Sequence, residues 1–174
     1  DLSEGHYGVS LLNDCKYGHS VKDGCIGLTL IKSGIEPNPT TDQEEHFFTY
    51  ALYPHAEGWQ QAGTVREAYR LNQPALSVRG GQAGTEYSLA SVQPANVILE
   101  TVKQAEDGDG VIVRLYETEN ARTEACLTWN RPIASVEECN CIEEKQADAA
   151  FDSACIPFVI KPYEIKTFRI REKE

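Results

Sequence analysis

Gly8-Val9-Ser10-Leu11-Leu12-Asn13-Asp14-Cys15-Lys16-Tyr17-Gly18-His19 opens as an apolar run and breaks off into a polar loop. A second apolar run, Cys25 to Ile31, follows. Short apolar runs separated by turn residues are the pattern of strands, and we read strands over Gly8–Leu12 and Ile26–Ile31. Between them, Asn13 to Gly24 is turn-rich, and Lys22-Asp23-Gly24 makes a turn because Gly accepts positive φ without steric cost.

The same reading extends outward. Ile35 to Asp42 holds Pro37, Pro39 and two threonines and is a surface loop. Phe47 to Tyr53 reads as a strand, with Phe48, Tyr50 and Leu52 on one face and Phe47, Thr49, Ala51 and Tyr53 on the other; Pro54 is expected to stop it. One short helix is expected. Thr64 with Glu67 three residues on fits a capping box, Val65, Ala68 and Tyr69 form its face, and Asn72-Gln73-Pro74 ends it. Ser77 to Gly84 is a glycine-rich loop or bulged edge. Strand patterns then resume over Val97–Val102, Val111–Tyr116, Ala125–Trp129, Ala134–Ile142 and Phe158–Ile170, with Asp107-Gly108-Asp109-Gly110 as a tight turn. Strands at this spacing predict a mainly β fold of antiparallel β-sandwich units with one short helix.

The 174 residues suffice for one ordinary domain or two small β units. With 41% hydrophobic and 25% charged residues the composition is that of a folded globular chain. A net charge of −11 repels phosphate backbones and anionic bilayers, so neither nucleic acid nor membrane is an expected partner. No apolar run is long enough to span a bilayer and no signal peptide is visible, so we expect a cytoplasmic location. Asp1 opens the chain and Met is absent, which we read as residues cut from a longer polypeptide. The six cysteines lack the density of a stapled secreted domain. They are read as reduced structural thiols, with Cys139 and Cys141 on one face of a strand.

Three blocks carry a resemblance. Leu11-Leu12-Asn13-Asp14-Cys15-Lys16-Tyr17-Gly18 is the first. Asp42 through Glu45-His46-Phe47 to Tyr53-Pro54-His55 is the second. The third is looser: Val97–Lys103, Glu106–Glu117 and Lys161-Pro162-Tyr163-Glu164-Ile165-Lys166-Thr167. Together they resemble the C-terminal β region of the glycoside hydrolase family 38 α-mannosidases. The resemblance implies that residues 1–75 are the end of the family's large β-sandwich domain plus the short helix. Residues 76–90 would then be a linker or edge loop, and 91–174 the small C-terminal β-sandwich.

It also implies a retaining exo-α-mannosidase whose N-terminal α/β barrel, absent here, holds zinc and two carboxyl groups about 5–5.5 Å apart. None of those catalytic motifs occurs in this chain, so no catalytic residue, no metal ligand and no cofactor is assigned to it. The expected partners are the missing catalytic domain, mannosyl glycans through the parent enzyme, and a second copy in a homo-oligomer. A stand-alone carbohydrate-binding β-sandwich is the competing reading.

Loop tips often carry function, and Asn13, Asp14, Lys16, Tyr17 and His19 are the candidates for contact with the sugar cleft or the catalytic domain. Asn13 and Asp14 suit hydroxyl recognition and Tyr17 suits stacking on a sugar face, although Asn13 and Asp14 equally suit capping a turn. His46 and His55 bracket a strand and would lie roughly 30 Å apart at ~3.3 Å per residue, too far to share an ion. Asp42, Glu44 and Glu45 read as a solvated loop. Asp107 and Asp109 read as a hairpin turn, since a calcium loop would need more spaced oxygen ligands. Arg114 and Glu117 are expected to pair or to meet a neighbouring domain, and Trp59 and Trp129 to anchor a core or interface.

Overall fold

The computed structural model describes every residue except Gln82, Ala83, Thr85 and Glu174. The fold is mainly β, with antiparallel sheets and one short helix, divided into two compact units, Asp1–Gly80 and Gly81–Glu174.

The N-terminal unit contains β1 (Leu2–Glu4), β2 (Tyr7–Asn13), β3 (His19–Lys22), β4 (Cys25–Leu28), β5 (Tyr50–Ala56) and α1 (Thr64–Asn72). β1, β2 and β5 form one sheet with β2 in the centre, and β3 and β4 form a separate hairpin. Its turn is Asp23-Gly24, both at positive φ, as two-residue hairpins require. Pairs Gly8↔His55, Ser10↔Tyr53 and Leu12↔Ala51 place those residues on one sheet face. A Cβ at Gly8 would come within 2.6 Å of the His55 ring and the Ser3 hydroxyl, so a larger residue there forces those side chains to shift.

Pro54 does not end its strand. β5 continues to Ala56, with Pro54 opposite Val9. β5 is an edge strand, and on an edge a residue without an N–H need not break the ladder. The strand starts at Tyr50 rather than Phe47, and the second apolar run ends at Leu28 rather than Ile31. The capping box at Thr64 does not form either: Gly63, in the left-handed region, is the N-cap and no side chain caps the helix. Thr64 turns its hydroxyl to Ser10, and Glu67 pairs with Arg70.

The C-terminal unit contains β6 (Ala90–Gln93), β7 (Val97–Gln104), β8 (Val111–Glu117), β9 (Thr123–Trp129), β10 (Ile133–Cys139), β11 (Lys145–Asp148), β12 (Cys155–Ile160) and β13 (Ile165–Glu172). One sheet runs β11-β10-β13-β8-β7 and the other β12-β9-β6. Alternate residues of both sheets meet in one core: Val113 and Leu115, Leu127 and Trp129, Phe168 and Ile170. This is a β-sandwich.

The expected segment Phe158–Ile170 is two strands, split by the turn at Lys161–Glu164, where Tyr163 has positive φ. β10 ends at Cys139, so Cys139 is buried while Cys141 lies exposed in the following turn; they do not share a strand face. Asn140 causes the stop, because its Oδ1 accepts the N–H groups of Ile142 and Glu144. Cys126 and Cys155 are not free thiols. They lie diagonally across β9 and β12, 6.0 Å apart at Cα, and form a disulfide. The cysteine count could not reveal this pair, because it depends on which strands are neighbours.

Candidate functional site

The loop from Asn13 to His19 leaves the end of the central strand β2 and leads into β3. Its base is tied down from several sides. The Thr49 N–H donates to both carboxylate oxygens of Asp14 (3.0 and 2.9 Å), and the Asp14 N–H donates back to the Thr49 carbonyl (3.2 Å). The Thr49 N–H, with the Cys15 thiol as a lesser donor, holds the Asp14 carboxyl below its ordinary pKa. Asp14 in turn raises that of Cys15, chiefly through the hydrogen bond between them. The Asn13 Oδ1 accepts the Lys16 N–H, the first bond of the turn. The Asn13 amide Nδ2 donates to His19 Nε2 (3.3 Å), and His19 Nδ1–H donates to the Tyr17 carbonyl (3.1 Å), which sets the imidazole tautomer. Asn72, at the end of α1, donates to the Asn13 carbonyl (3.1 Å).

Lys16 lies with its ammonium 4.9 Å above the Phe48 ring, a cation–π contact. Tyr17, at the tip, is 94% exposed. The five candidates thus occupy one loop, but they divide by role. Asn13, Asp14 and His19 engage backbone or one another, Lys16 is half-buried over Phe48, and Tyr17 faces outward.

The sequence does not reveal a polar hub on β2. Ser10, 1% exposed, donates to Asp1 Oδ2 (2.8 Å) and lies 2.8 Å from Thr64 Oγ1 and 3.1 Å from His55 Nε2. His55 Nε2 is also 2.7 Å from Asp1 Oδ2, and Ser3 bonds the other Asp1 oxygen. Serine, histidine and aspartate do not form a nucleophilic relay here. A relay needs serine and carboxylate on opposite ring nitrogens, whereas both meet Nε2, and Nδ1 faces the carbonyls of Ala56 and Glu57 (3.4 and 3.2 Å). The hub ties β2, β5 and α1 together. Its one sequence signal was a serine at an inward position of an apolar strand, which must find partners.

His46 bonds the Asp42 carbonyl (3.0 Å), so the two histidines are engaged separately. Asp42, Glu44 and Glu45 are exposed. Asp107 and Asp109 form the expected hairpin turn, and it is held by arginines: Arg169 reaches Asp107 at 2.6 Å, and Arg171 Nε reaches both Asp109 oxygens at 3.0 and 2.9 Å. Those hydrogen bonds lower the pKa of both aspartates. Arg114 and Glu117 do not pair. An odd separation on a strand points them to opposite faces. Arg114 bonds Thr167 and the Cys141 carbonyl, while buried Glu117 accepts from Asn96, Glu119 N–H and Tyr163 N–H. Burial alone would push the Glu117 carboxyl up, but these donors outweigh it and hold it below the ordinary range. Trp129 is wholly buried, its indole N–H donating to Glu172 (3.0 Å); Trp59 is half-buried. Among the described residues no group of three or more His, Cys, Asp or Glu could hold a metal ion. Nor is any helix among them long and apolar enough to cross a membrane.

The fold and loop define an antiparallel β protein, part sandwich, presenting a structured apical loop. Comparison with known proteins narrows this class. The sequence profile of the glycosyl hydrolases family 38 C-terminal beta sandwich domain matches residues 96–168, and that of the glycosyl hydrolases family 38 C-terminal domain matches residues 1–40. Alpha-mannosidase G of Dictyostelium discoideum is 38% identical over 97% of this chain, and alpha-mannosidase 2C1 of Homo sapiens 40% identical over 82%. The chain spans only 16% and 14% of those relatives. The crystal structure of a protein in glycosyl hydrolase family 38 from Enterococcus faecalis shares the fold, with a TM-score of 0.71 over 97% of this chain and 21% of that one, at 20% identity. The chain belongs to glycosyl hydrolase family 38, in its C-terminal β region.

Proposed function

We propose that this chain is the C-terminal, non-catalytic β region of a retaining α-mannosidase that removes terminal α-mannosyl residues from glycans. It buttresses the catalytic barrel and walls the sugar cleft, with the Asn13–His19 loop at the contact. Zinc belongs to the catalytic part and is not held by these residues.

One observation carries the buttressing role. The sheet face opposite the hub pairs Tyr7 with Ala56, Val9 with Pro54, Leu11 with Leu52 and Asn13 with Tyr50, and is mostly apolar. Leu52 is 67% and Tyr50 57% exposed. The β3–β4 hairpin is exposed over most of its length as well, and a lone two-stranded hairpin is marginal in water. An apolar face of this kind calls for a covering protein surface. Without one, the chain self-associates, the origin of the proposed homo-oligomer.

The match to the C-terminal part of far longer alpha-mannosidases supports this reading over a stand-alone carbohydrate-binding module.

The test is hydrolysis of an aryl α-mannoside by this chain and by a full-length relative, zinc being supplied to both. Turnover is expected only from the full-length enzyme. Turnover by the chain alone would overturn the proposal. A sharp monomer peak on sizing at high concentration would count against an open apolar face.

A further inference from the structure

We infer that Asp14 is a positioning residue, which fixes the Lys16–Tyr17 tip in the orientation it presents to the sugar cleft; this rests on the function proposed above.

β2 and β5 are in register through Asn13↔Tyr50. One step further on, a regular ladder would continue and carry the chain away along the strand. Asp14 ends it with a reciprocal clamp: its N–H takes the Thr49 carbonyl, and its carboxylate takes the Thr49 N–H with both oxygens. Both backbone groups of Thr49 are thereby satisfied by one residue, and the chain after Asp14 is free to turn. Thr49 is the neighbour of Phe48, over whose ring the Lys16 ammonium sits. The clamp therefore sets where Phe48 lies beneath Lys16. On the other side of the turn, the Asn13 side chain takes the Lys16 N–H, and Asn72 holds the Asn13 carbonyl.

Both Asp14 oxygens face the Thr49 N–H, so the carboxylate is engaged in holding the turn. Tyr17 is almost wholly exposed at the tip, and half-buried Lys16 lies over Phe48 beside it. The carboxylate acts through them.

The experiment uses a full-length family relative in which this chain replaces the matching C-terminal segment, assayed on an aryl α-mannoside. Asp14→Ala is expected to raise KM about tenfold while kcat stays within about twofold. Asp14→Asn keeps one acceptor for the Thr49 N–H and should recover part of the loss. Tyr17→Ala should raise KM comparably, and the double variant no further than the worse single one, because both remove the same tip. Multiplying effects in the double variant, or an unchanged KM for Asp14→Ala while Tyr17→Ala raises it, would overturn the positioning role alone. If neither Tyr17→Ala nor Lys16→Ala changes KM or kcat, the cleft reading of the loop fails with it. Amide exchange at Thr49 in the isolated chain gives a second readout: Asp14→Ala should deprotect it, and retained protection would refute the clamp.

Discussion

In the first eighty residues Gly8, Ser10 and Leu12 are buried and the remainder is at least partly open, whereas the last ninety-four enclose a core running from Val97 to Ile170. Both units use the same material, short alternating strands paired antiparallel. They differ in what covers the sheets. In the C-terminal unit a second sheet closes the first, and Trp129, Leu127 and Phe168 lose almost all contact with water. In the N-terminal unit α1 and the Ser10 hub stand over one face of β2, and the other face remains apolar and open. The C-terminal unit thus contains the burial that stabilises it, while the N-terminal unit leans on polar ties such as the Ser10 hub.

The largest expected effect lies in the closed core. Trp129→Ala should cost about 3–5 kcal/mol, read as a lower denaturant midpoint of the C-terminal unit; a cost under about 1 kcal/mol would mean that the core is not what stabilises the sandwich.

Next comes the hub. Ser10→Ala leaves Asp1 and Thr64 short of a partner and should destabilise the N-terminal unit by about 1–3 kcal/mol. An unchanged thermal melt would show that the hub stabilises nothing.

Acid should separate native from unfolded carboxylates in the C-terminal unit. Asp107, Asp109, Glu117, Glu137 and Glu143 all have pKa values lowered from ordinary values of 3.8 or 4.5. A lowered native pKa means stability that is fully present above the unfolded value and lost as pH falls through the native one. Stability should therefore hold from neutrality to about pH 4.5 and decline below it. A decline that begins near pH 6 would contradict these shifts.

The smallest effect should come from the open face. Leu52→Ser should change stability by less than about 0.5 kcal/mol yet reduce self-association in sedimentation. A large loss of stability would show that Leu52 is already covered and would erase the contrast between the units.

Much of this architecture was legible locally. Val111–Tyr116 and Ala125–Trp129 carry β-branched and alternating residues, and Lys22-Asp23-Gly24 and Asp107–Gly110 carry turn chemistry; both strands and both turns are present. The misreadings share one cause. By sequence Pro54 is a stop, because nothing near it says that β5 is an edge. By spacing to Glu67 Thr64 is a cap, but Ser10 competes for its hydroxyl. The candidate site was legible as a loop with five residues of interest. Their division into holders and presenters was not, since Asp14 is held by Thr49, 35 residues away, and Asn13 by Asn72, 59 away.

Strand positions, turns and the family its motifs resemble are written locally in the chain, because alternation, turn preference and motif spacing are short-range properties. Which strand lies at an edge, which face stays open, that Cys126 meets Cys155 and that Asp14 grips Thr49 emerge on folding. Those outcomes depend on which distant segments come to lie side by side, a choice made by the competition of all faces for burial and of all buried polar groups for partners.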